Sequence, residues 1–203
     1  MMSKYIELFT TEEGLEQIFE AFDGLGIFVG LLLVFIESFL PFLPLIAIVI
    51  LNTNAYGFLI GFLMSYLGSV VGSYSVFLIV RNFLKRPTTA YINRHPTLVK
   101  MRQFVDTRGF SFLFILLSLP FTPSSVVNLI AGISNISKRV YLYILIGSKF
   151  IMILSISVVG YDVTAFFTSP ARLLISVIFL IVLYVLSKLY EKYLERKMNN
   201  HLE

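Results

Sequence analysis

Three stretches of the chain are apolar over a length that suits a membrane-crossing helix. Residues 55–80 form the longest, in which serine and tyrosine are the only polar residues, and residues 140–160 and 171–187 are the other two. About 20 helical residues, at about 1.5 Å each, cross the roughly 30 Å hydrocarbon core of a bilayer. The pattern predicts an all-α polytopic membrane protein with three transmembrane helices.

Two further apolar stretches are each interrupted by the sequence Leu-Pro-Phe-x-Pro, at residues 40–44 and 119–123. Proline donates no backbone hydrogen bond, and two prolines three residues apart end a helix, so the backbone is broken at membrane depth in both places. The arm before Glu37 has 12 residues, or about 18 Å of helix, which is too short to span. We therefore predict two re-entrant hairpins with tips shaped by Pro41, Pro44, Pro120 and Pro123.

Each half of the chain combines one such hairpin with one long crossing. Interrupted helices at corresponding positions in two halves of a membrane protein are the usual sequence pointer to a substrate site between inverted repeats. Glu37 in the first hairpin and Lys149 in the crossing at 140–160 are charged at a depth where charge is costly and commonly functional. The sequence thus favours transport as the function.

Lysine and arginine residues indicate which side of the membrane each segment occupies. Residues 81–108 contain seven of them and one acid, Asp106, and Lys138, Arg139 and the C-terminal tail are also basic. If both hairpins enter and leave on one face, all of these segments share a side, which the positive-inside rule identifies as the cytoplasm. The acidic N-terminus and residues 161–170, which have no lysine or arginine, fall on the other side.

Reporter fusions after residues 95, 165 and 203 test this topology. We expect cytoplasmic signals at 95 and 203 and an external signal at 165, because the basic segments remain in the cytoplasm. A cytoplasmic signal at 165 would contradict the two-hairpin arrangement.

The first 23 residues do not span the membrane. Apolar residues recur at i, i+3, i+4 and i+7 from Leu15 among six acids, behind a Thr10-x-x-Glu13 capping box, which predicts an amphipathic interfacial helix. The predicted division is then the helix at 1–23, one membrane domain at 24–187 and a cytoplasmic tail at 188–203. The membrane domain consists of repeat one (24–81), a cytoplasmic basic loop (82–109), repeat two (110–160) and the last crossing (171–187).

Composition excludes several other classes of protein. With 57% hydrophobic residues and a mean hydropathy of +0.86, the 203-residue chain has too little polar surface for a soluble globule. Cysteine is absent, and His95 and His201 both lie in polar segments, so no metal or cofactor is predicted. The apolar stretches contain no nucleophile–base or paired-acid motif, which argues against an enzyme.

The net charge of +4 is carried mostly by the predicted loops. It indicates contact with anionic or phosphate headgroups of membrane lipids and not with nucleic acid. Small residues allow close helix contact in lipid, and a homo-oligomer is left open; the residues proposed for helix packing are Gly61, Gly68, Gly72 and Gly132.

Several short motifs follow one another in a fixed order between about residues 25 and 162. They are Glu37 ahead of Pro41-Phe42-Leu43-Pro44, Gly72 nine residues before Arg81, Gly109, Leu119-Pro120-Phe121-Thr122-Pro123, Asn128, Ala131-Gly132 and Gly160-Tyr161. Together they resemble the DedA, or SNARE-associated VTT-domain, family of membrane proteins. The resemblance implies two opposed re-entrant hairpins, location in the cell membrane, which in a bacterium is the plasma membrane, and movement of phospholipids or polyprenyl phosphates between leaflets.

The chain departs from the family pattern at three positions. Many bacterial members have arginines where this chain has Leu117 and Pro123, and an acid commonly stands where it has Ser73. In the family those residues are linked to phosphate recognition and proton coupling. Since this chain lacks them, the resemblance does not imply either property at these three positions. The chain is more similar to the eukaryote-like branch.

Four residues are candidates for contact with the lipid. Glu37 is either a functional carboxylate or a hydrogen-bonded carboxyl that caps the broken helix. Lys149 either supplies the cation that the missing arginines would have provided or snorkels along a neighbouring helix. Arg81 is interpreted first as a positive-inside anchor and second as a phosphate ligand, and Asn128 either satisfies freed backbone or contacts a headgroup.

We expect Glu37 and Lys149 to face one central cavity as an ion pair that a phosphate headgroup can open. The predicted function is lipid translocation, as a flippase or scramblase. The alternative is a non-transporting membrane scaffold or envelope-homeostasis assembly factor.

Overall fold

A computed structural model describes residues 11–161 apart from residues 25, 41 and 42, together with isolated positions between residues 178 and 192. The described residues form helices and turns, without strands. Residues 11–161 contain eight described helices: α1 Glu12–Asp23, α2 Ile27–Glu37, α3 Leu45–Ala55, α4 Phe58–Asn82, α5 Lys85–Asn93, α6 Pro96–Ser118, α7 Ser124–Ile133 and α8 Lys138–Gly160. The predicted crossing at 171–187 and the tail at 188–203 fall largely outside the described residues, and Pro41 falls outside them.

Helices α4 and α8 are long and apolar enough to cross a bilayer. They have 25 and 23 residues, so each is about 35 Å long. Their ends lie within three residues of the crossings predicted at 55–80 and 140–160. The prediction of an all-α membrane protein is thereby confirmed.

Both proline motifs coincide with breaks between helices. Helices α2 and α3 have 11 residues each and α7 has 10, so none is longer than about 17 Å. Pro44 and Pro123 are the residues immediately before α3 and α7 and have extended backbone, while Pro120 lies in the turn before α7. The two arms around each break contact each other, α2 with α3 and α6 with α7.

The basic segment predicted as a loop at 82–109 is helical. It consists of α5 and the first half of α6, and α6 continues without interruption into the apolar arm before Pro120. The loop prediction was wrong because it relied on charge alone. Apolar residues recur in this segment at helical spacing (Leu98, Met101, Phe104 and Val105), and they pack into the core beside Ile92.

The polar sequence Asn52-Thr53-Asn54 lies in the last turn of α3. Asn52 donates from Nδ2 to Ser65 Oγ at 2.9 Å, and Asn54 donates from Nδ2 to the carbonyl of Gly160 at 2.6 Å. These side chains therefore connect α3 to α4 and α8. The chain turns after α3 at Gly57, whose φ of +77° lies in the region that favours glycine.

Helix α1 is capped by Thr11, one residue later than predicted. The Thr11 hydroxyl accepts a hydrogen bond from the Gly14 N–H at 3.1 Å, and glycine at this third position excludes the reciprocal carboxylate of a capping box. Its apolar face ends at Phe22, whose carbonyl accepts a hydrogen bond from the Tyr56 hydroxyl at 2.9 Å. Of the helix predicted at 1–23, residues 12–23 are helical and contact α3, and residues 1–10 lie outside the described residues.

Helix α4 lies at the centre and contacts α2, α3, α7 and α8. Glycines permit several of these contacts. A methyl group added at Gly68 would lie 2.9 Å from the Leu31 carbonyl oxygen, and one added at Gly72 would lie 2.8 Å from that of Phe35. Gly61 faces the backbone of Asn52 and Thr53 in the same way, and Gly132 of α7 lies against Val80. Side chains at these positions would push the helices apart.

The apolar core is divided into two clusters. One joins α5, α6 and α7 to the second half of α4 and the first half of α8, through residues such as Phe77, Val80, Leu113, Ile130 and Ile144. The other joins α2 and α3 to the opposite ends of the same two long helices, through Val34, Val49, Phe62, Met152 and Ile153. The stretches of α4 and α8 between these clusters carry polar side chains.

Candidate functional site

Six buried polar residues of α2, α4 and α8 lie at or near the boundary between the two apolar clusters, and we refer to them as the polar layer. Glu37 is the last residue of α2 and Ser38 follows it. Ser69 and Ser73 lie one turn apart on α4, and Ser148 and Lys149 are adjacent on α8. Glu37 is 6% exposed and the other five are fully buried. Ser38 contacts α4 at Gly72, which places the end of the first broken segment against the central helix.

Most polar atoms of this layer lack a partner. Glu37 Oε2, Lys149 Nζ and the four serine hydroxyls make no hydrogen bond to any part of the protein that the structure describes. An unsatisfied buried polar group costs about 1–3 kcal/mol, and a buried charge costs more. Native proteins contain few such groups, so their concentration in one layer calls for a functional explanation. The layer can donate and accept hydrogen bonds and carries one group of each charge.

Glu37 and Lys149 lie in the same layer without direct contact. Each is subject to the electrostatic field of the other, but no ion pair between them is found among the described residues. The direct ion pair predicted from the sequence is therefore absent. Glu37 lies at the end of α2 and Lys149 lies in the middle of α8. The full burial of Lys149 also means that its ammonium does not reach the surface. Both charged groups retain hydrogen-bonding capacity for a third group.

Arg81 caps the end of α7, a role that differs from both the positive-inside anchor and the phosphate ligand considered from the sequence. Its guanidinium donates to four backbone carbonyls at and beyond the end of α7: those of Ala131 (2.8 Å), Gly132 (2.6 Å), Ser134 (2.8 Å) and Ile136 (2.9 Å). It also lies over the ring of Phe77, 4.8 Å from the centroid. The last carbonyls of a helix have no intrahelical partner, and Arg81 supplies one for them. Four of its five N–H groups are thus used, which leaves little capacity for a phosphate.

Asn128 connects α7 to α8. Its Oδ1 accepts a hydrogen bond from the Tyr141 hydroxyl at 2.6 Å, and both residues are fully buried. The Tyr141 ring in turn stacks on Phe77, with 4.3 Å between the centroids. Asn128 therefore bonds a side chain and not the freed backbone considered from the sequence, although its Nδ2 has no partner among the described residues.

The three departures from the family pattern lie in different environments. Leu117 is buried within the first apolar cluster. Pro123 precedes α7, and Ser73 belongs to the polar layer. Lys149 is therefore the cation that this layer contains. No group of three or more histidine, cysteine, aspartate or glutamate residues that could hold a metal occurs in the described part of the chain.

The serines of the polar layer were missed in the sequence. On α4, Ser65, Ser69 and Ser73 recur every four residues and so share one face of the helix. That spacing was visible in the sequence, but serine alone is common in membrane helices and carries little signal. The significance of this face depends on the burial of the hydroxyls beside Ser38, which follows from packing between helices distant in sequence.

The two spanning helices, the two proline breaks and the buried charged layer define a polytopic helical membrane protein with interrupted membrane segments. The chain belongs to the VTT-domain, or DedA, family, since the VTT domain matches residues 40–162. It is 41% identical over 193 residues to the uncharacterized membrane protein YhjE of Bacillus subtilis strain 168, which covers 95% of this chain and 93% of that protein. It is also 24% identical over 164 residues to the uncharacterized protein YqeD of that strain, covering 81% and 77% of the two chains. No solved structure matches the chain.

Proposed function

We propose that this protein translocates a phosphate-bearing lipid, of the phospholipid or polyprenyl phosphate type, between the leaflets of the cell membrane through the polar layer. The observation that carries the proposal is the set of buried polar atoms without partners, since a passing headgroup would supply their hydrogen bonds. Membership of a family commonly linked to membrane lipid transport supports the same function.

The roles of the charged groups follow from their positions. Lys149 attracts the phosphate by charge, and the hydroxyls of Ser69, Ser73 and Ser148 replace hydration water around the headgroup. Glu37 keeps the layer close to neutral when no lipid is bound, which limits the cost of the buried lysine. The acyl chains remain outside the polar layer while the headgroup crosses. Translocation forms and breaks no covalent bond, so the proposal describes a transporter and not an enzyme.

The proposed architecture that supports this path is a pair of inverted repeats. The two proline breaks are the tips of re-entrant hairpins, one opening to each side of the membrane, as in other interrupted-helix transporters. The short arms of α2, α3 and α7 fit such hairpins because none can span the bilayer alone. The basic segment containing α5 faces the cytoplasm, and so does the C-terminus.

Reconstituted vesicles provide the test. Vesicles that contain the purified protein and a fluorescent phospholipid or polyprenyl phosphate should lose inner-leaflet fluorescence to external dithionite faster than protein-free vesicles. A dye trapped inside the vesicles serves as a leak control, because dithionite that enters through leaks would also bleach it. Identical traces with and without protein for every labelled lipid would contradict translocation and favour the scaffold alternative.

A further inference from the structure

A groove of about 670 Å³, lined by none of the six polar-layer residues, lies between the second half of α4, α5, the start of α6 and α7. Its walls are apolar and include Val76, Ile79, Val80, Leu129 and Ile130. This volume falls within the roughly 300–1,000 Å³ of pockets that hold small molecules. The groove is thus large enough for an extended hydrocarbon chain.

The groove has an interfacial end and a deep end. Arg81 fixes the end of α7 beside the end of α4, so Ser125, seven residues before Gly132, lies about 10 Å deeper. Ser125 is buried, and its hydroxyl has no partner among the described residues. Phe39, which directly follows Ser38 of the polar layer, also lines the groove. The deep end therefore adjoins the polar layer, while Leu84, Tyr91 and His95 form the interfacial end.

The interfacial end is positively charged. Lys85 and Arg86 follow Leu84, Arg94 precedes His95, and all three basic side chains are exposed. The sequence has no acidic residue from Arg81 to Val105. Basic residues near a membrane surface attract anionic lipid, by roughly fivefold for each lysine or arginine. A partner for this groove needs an apolar chain and a negative headgroup.

We infer that the groove binds one acyl chain of an anionic phospholipid from the leaflet on the basic side, with its headgroup beside Arg94, Arg86 and Lys85. Binding at this site stands independently of translocation. Its role as the access route to the polar layer rests on the proposed function. The groove would then select anionic lipid before the headgroup moves toward Ser125 and the polar layer.

The absence of tryptophan from the chain permits a direct test with single-tryptophan variants. Ile79→Trp places the reporter in the groove, at a side chain that is 37% exposed. Val140→Trp is the matched control: Val140 is 38% exposed and does not line the groove. It lies at a similar depth, because Lys138 donates to Asn82 Oδ1 at 3.0 Å at the end of α4.

The variants are reconstituted in phosphatidylcholine vesicles that contain a minority of phosphatidylglycerol. In one preparation the phosphatidylglycerol is dibrominated, and in the other the phosphatidylcholine is. The preference for phosphatidylglycerol is the ratio of the tryptophan quenching in the first preparation to that in the second. We expect brominated phosphatidylglycerol to quench the Ile79→Trp reporter several-fold more than the Val140→Trp reporter. Adding Arg86→Gln and Arg94→Gln should lower that preference by up to about fivefold each, since both arginines are exposed and lie within two residues of Leu84 or His95, which line the groove.

Equal preference for phosphatidylglycerol at both reporters would overturn the inference, because it would reflect general enrichment of anionic lipid around the protein. An unchanged preference in the two arginine variants would also overturn it. Lys149→Met separates this inference from the proposed function. The Lys149→Met substitution should remove translocation and leave the quenching preference of the Ile79→Trp reporter intact. If the Ile79→Trp protein instead translocates lipid but shows no such preference, the groove site is refuted and the proposed function stands.

Discussion

Lys149→Met is expected to abolish lipid translocation and at the same time to stabilise the protein. The ammonium is fully buried and has no hydrogen-bond partner among the described residues, so it is a cost to the fold. A lysine at the centre of a membrane helix costs roughly 2.5–3.5 kcal/mol on insertion scales, and methionine has a similar length without the charge. We expect a gain of about 2 kcal/mol in stability, measured as a higher midpoint of thermal unfolding in detergent.

A gain in stability together with a loss of transport would distinguish a functional charge from a structural one. Translocation is measured by dithionite bleaching with the same labelled lipid for every variant. Lys138→Met is the control, since this lysine is exposed at the start of the same helix. It should leave translocation unchanged. Full translocation by Lys149→Met would remove the proposed phosphate ligand from the polar layer.

Glu37→Gln extends the same experiment to the acid. Glutamine keeps the size of the side chain and removes the negative charge that partly neutralises Lys149. We expect translocation to be lost while the protein still inserts and accumulates. A double variant with Lys149→Met should be as inactive as either single variant, because the two residues act on one headgroup.

Membrane crossings and breaks were predictable from the sequence because both depend on local composition. An apolar run of more than 20 residues such as α4 has no other stable arrangement in a bilayer, and a Pro-x-x-Pro sequence interrupts a helix wherever it occurs. The burial of Glu37 and Lys149 also followed from position, since both lie within apolar stretches.

The contacts that define the site were not predictable in this way. Arg81 bonds carbonyls about 50 residues further along the chain, and carbonyls have no sequence signature. Asn128 and Tyr141 are bonded across two helices in the same manner. The helices in residues 85–109 were not predicted because the segment was interpreted from its many charged residues and not from the helical spacing of its apolar ones. Such features depend on tertiary packing, which a single sequence does not display.

Arg81→Met is expected to destabilise the protein strongly by releasing the end of α7. It would remove four charge-assisted hydrogen bonds and leave four carbonyls without the donor that now satisfies them. A hydrogen bond to a charged group contributes about 1.5–3 kcal/mol, and a buried acceptor left unsatisfied costs about 1–3 kcal/mol. The midpoint of thermal unfolding in detergent should fall accordingly. Arg139→Met, an exposed arginine at the start of α8, is the control and should change stability little.

Local release of α7 can be measured apart from global unfolding because the chain has no cysteine. Ile133→Cys places a thiol at the buried end of α7, beside the carbonyls that Arg81 holds. This thiol should resist a water-soluble maleimide when Arg81 is present and react quickly in the Arg81→Met background. Arg81→Lys should give an intermediate rate, because a single ammonium keeps the charge but lacks the planar fork that reaches four carbonyls. If Arg81→Met instead kept the wild-type stability and thiol protection while losing translocation, Arg81 would be a headgroup ligand and not the anchor of α7.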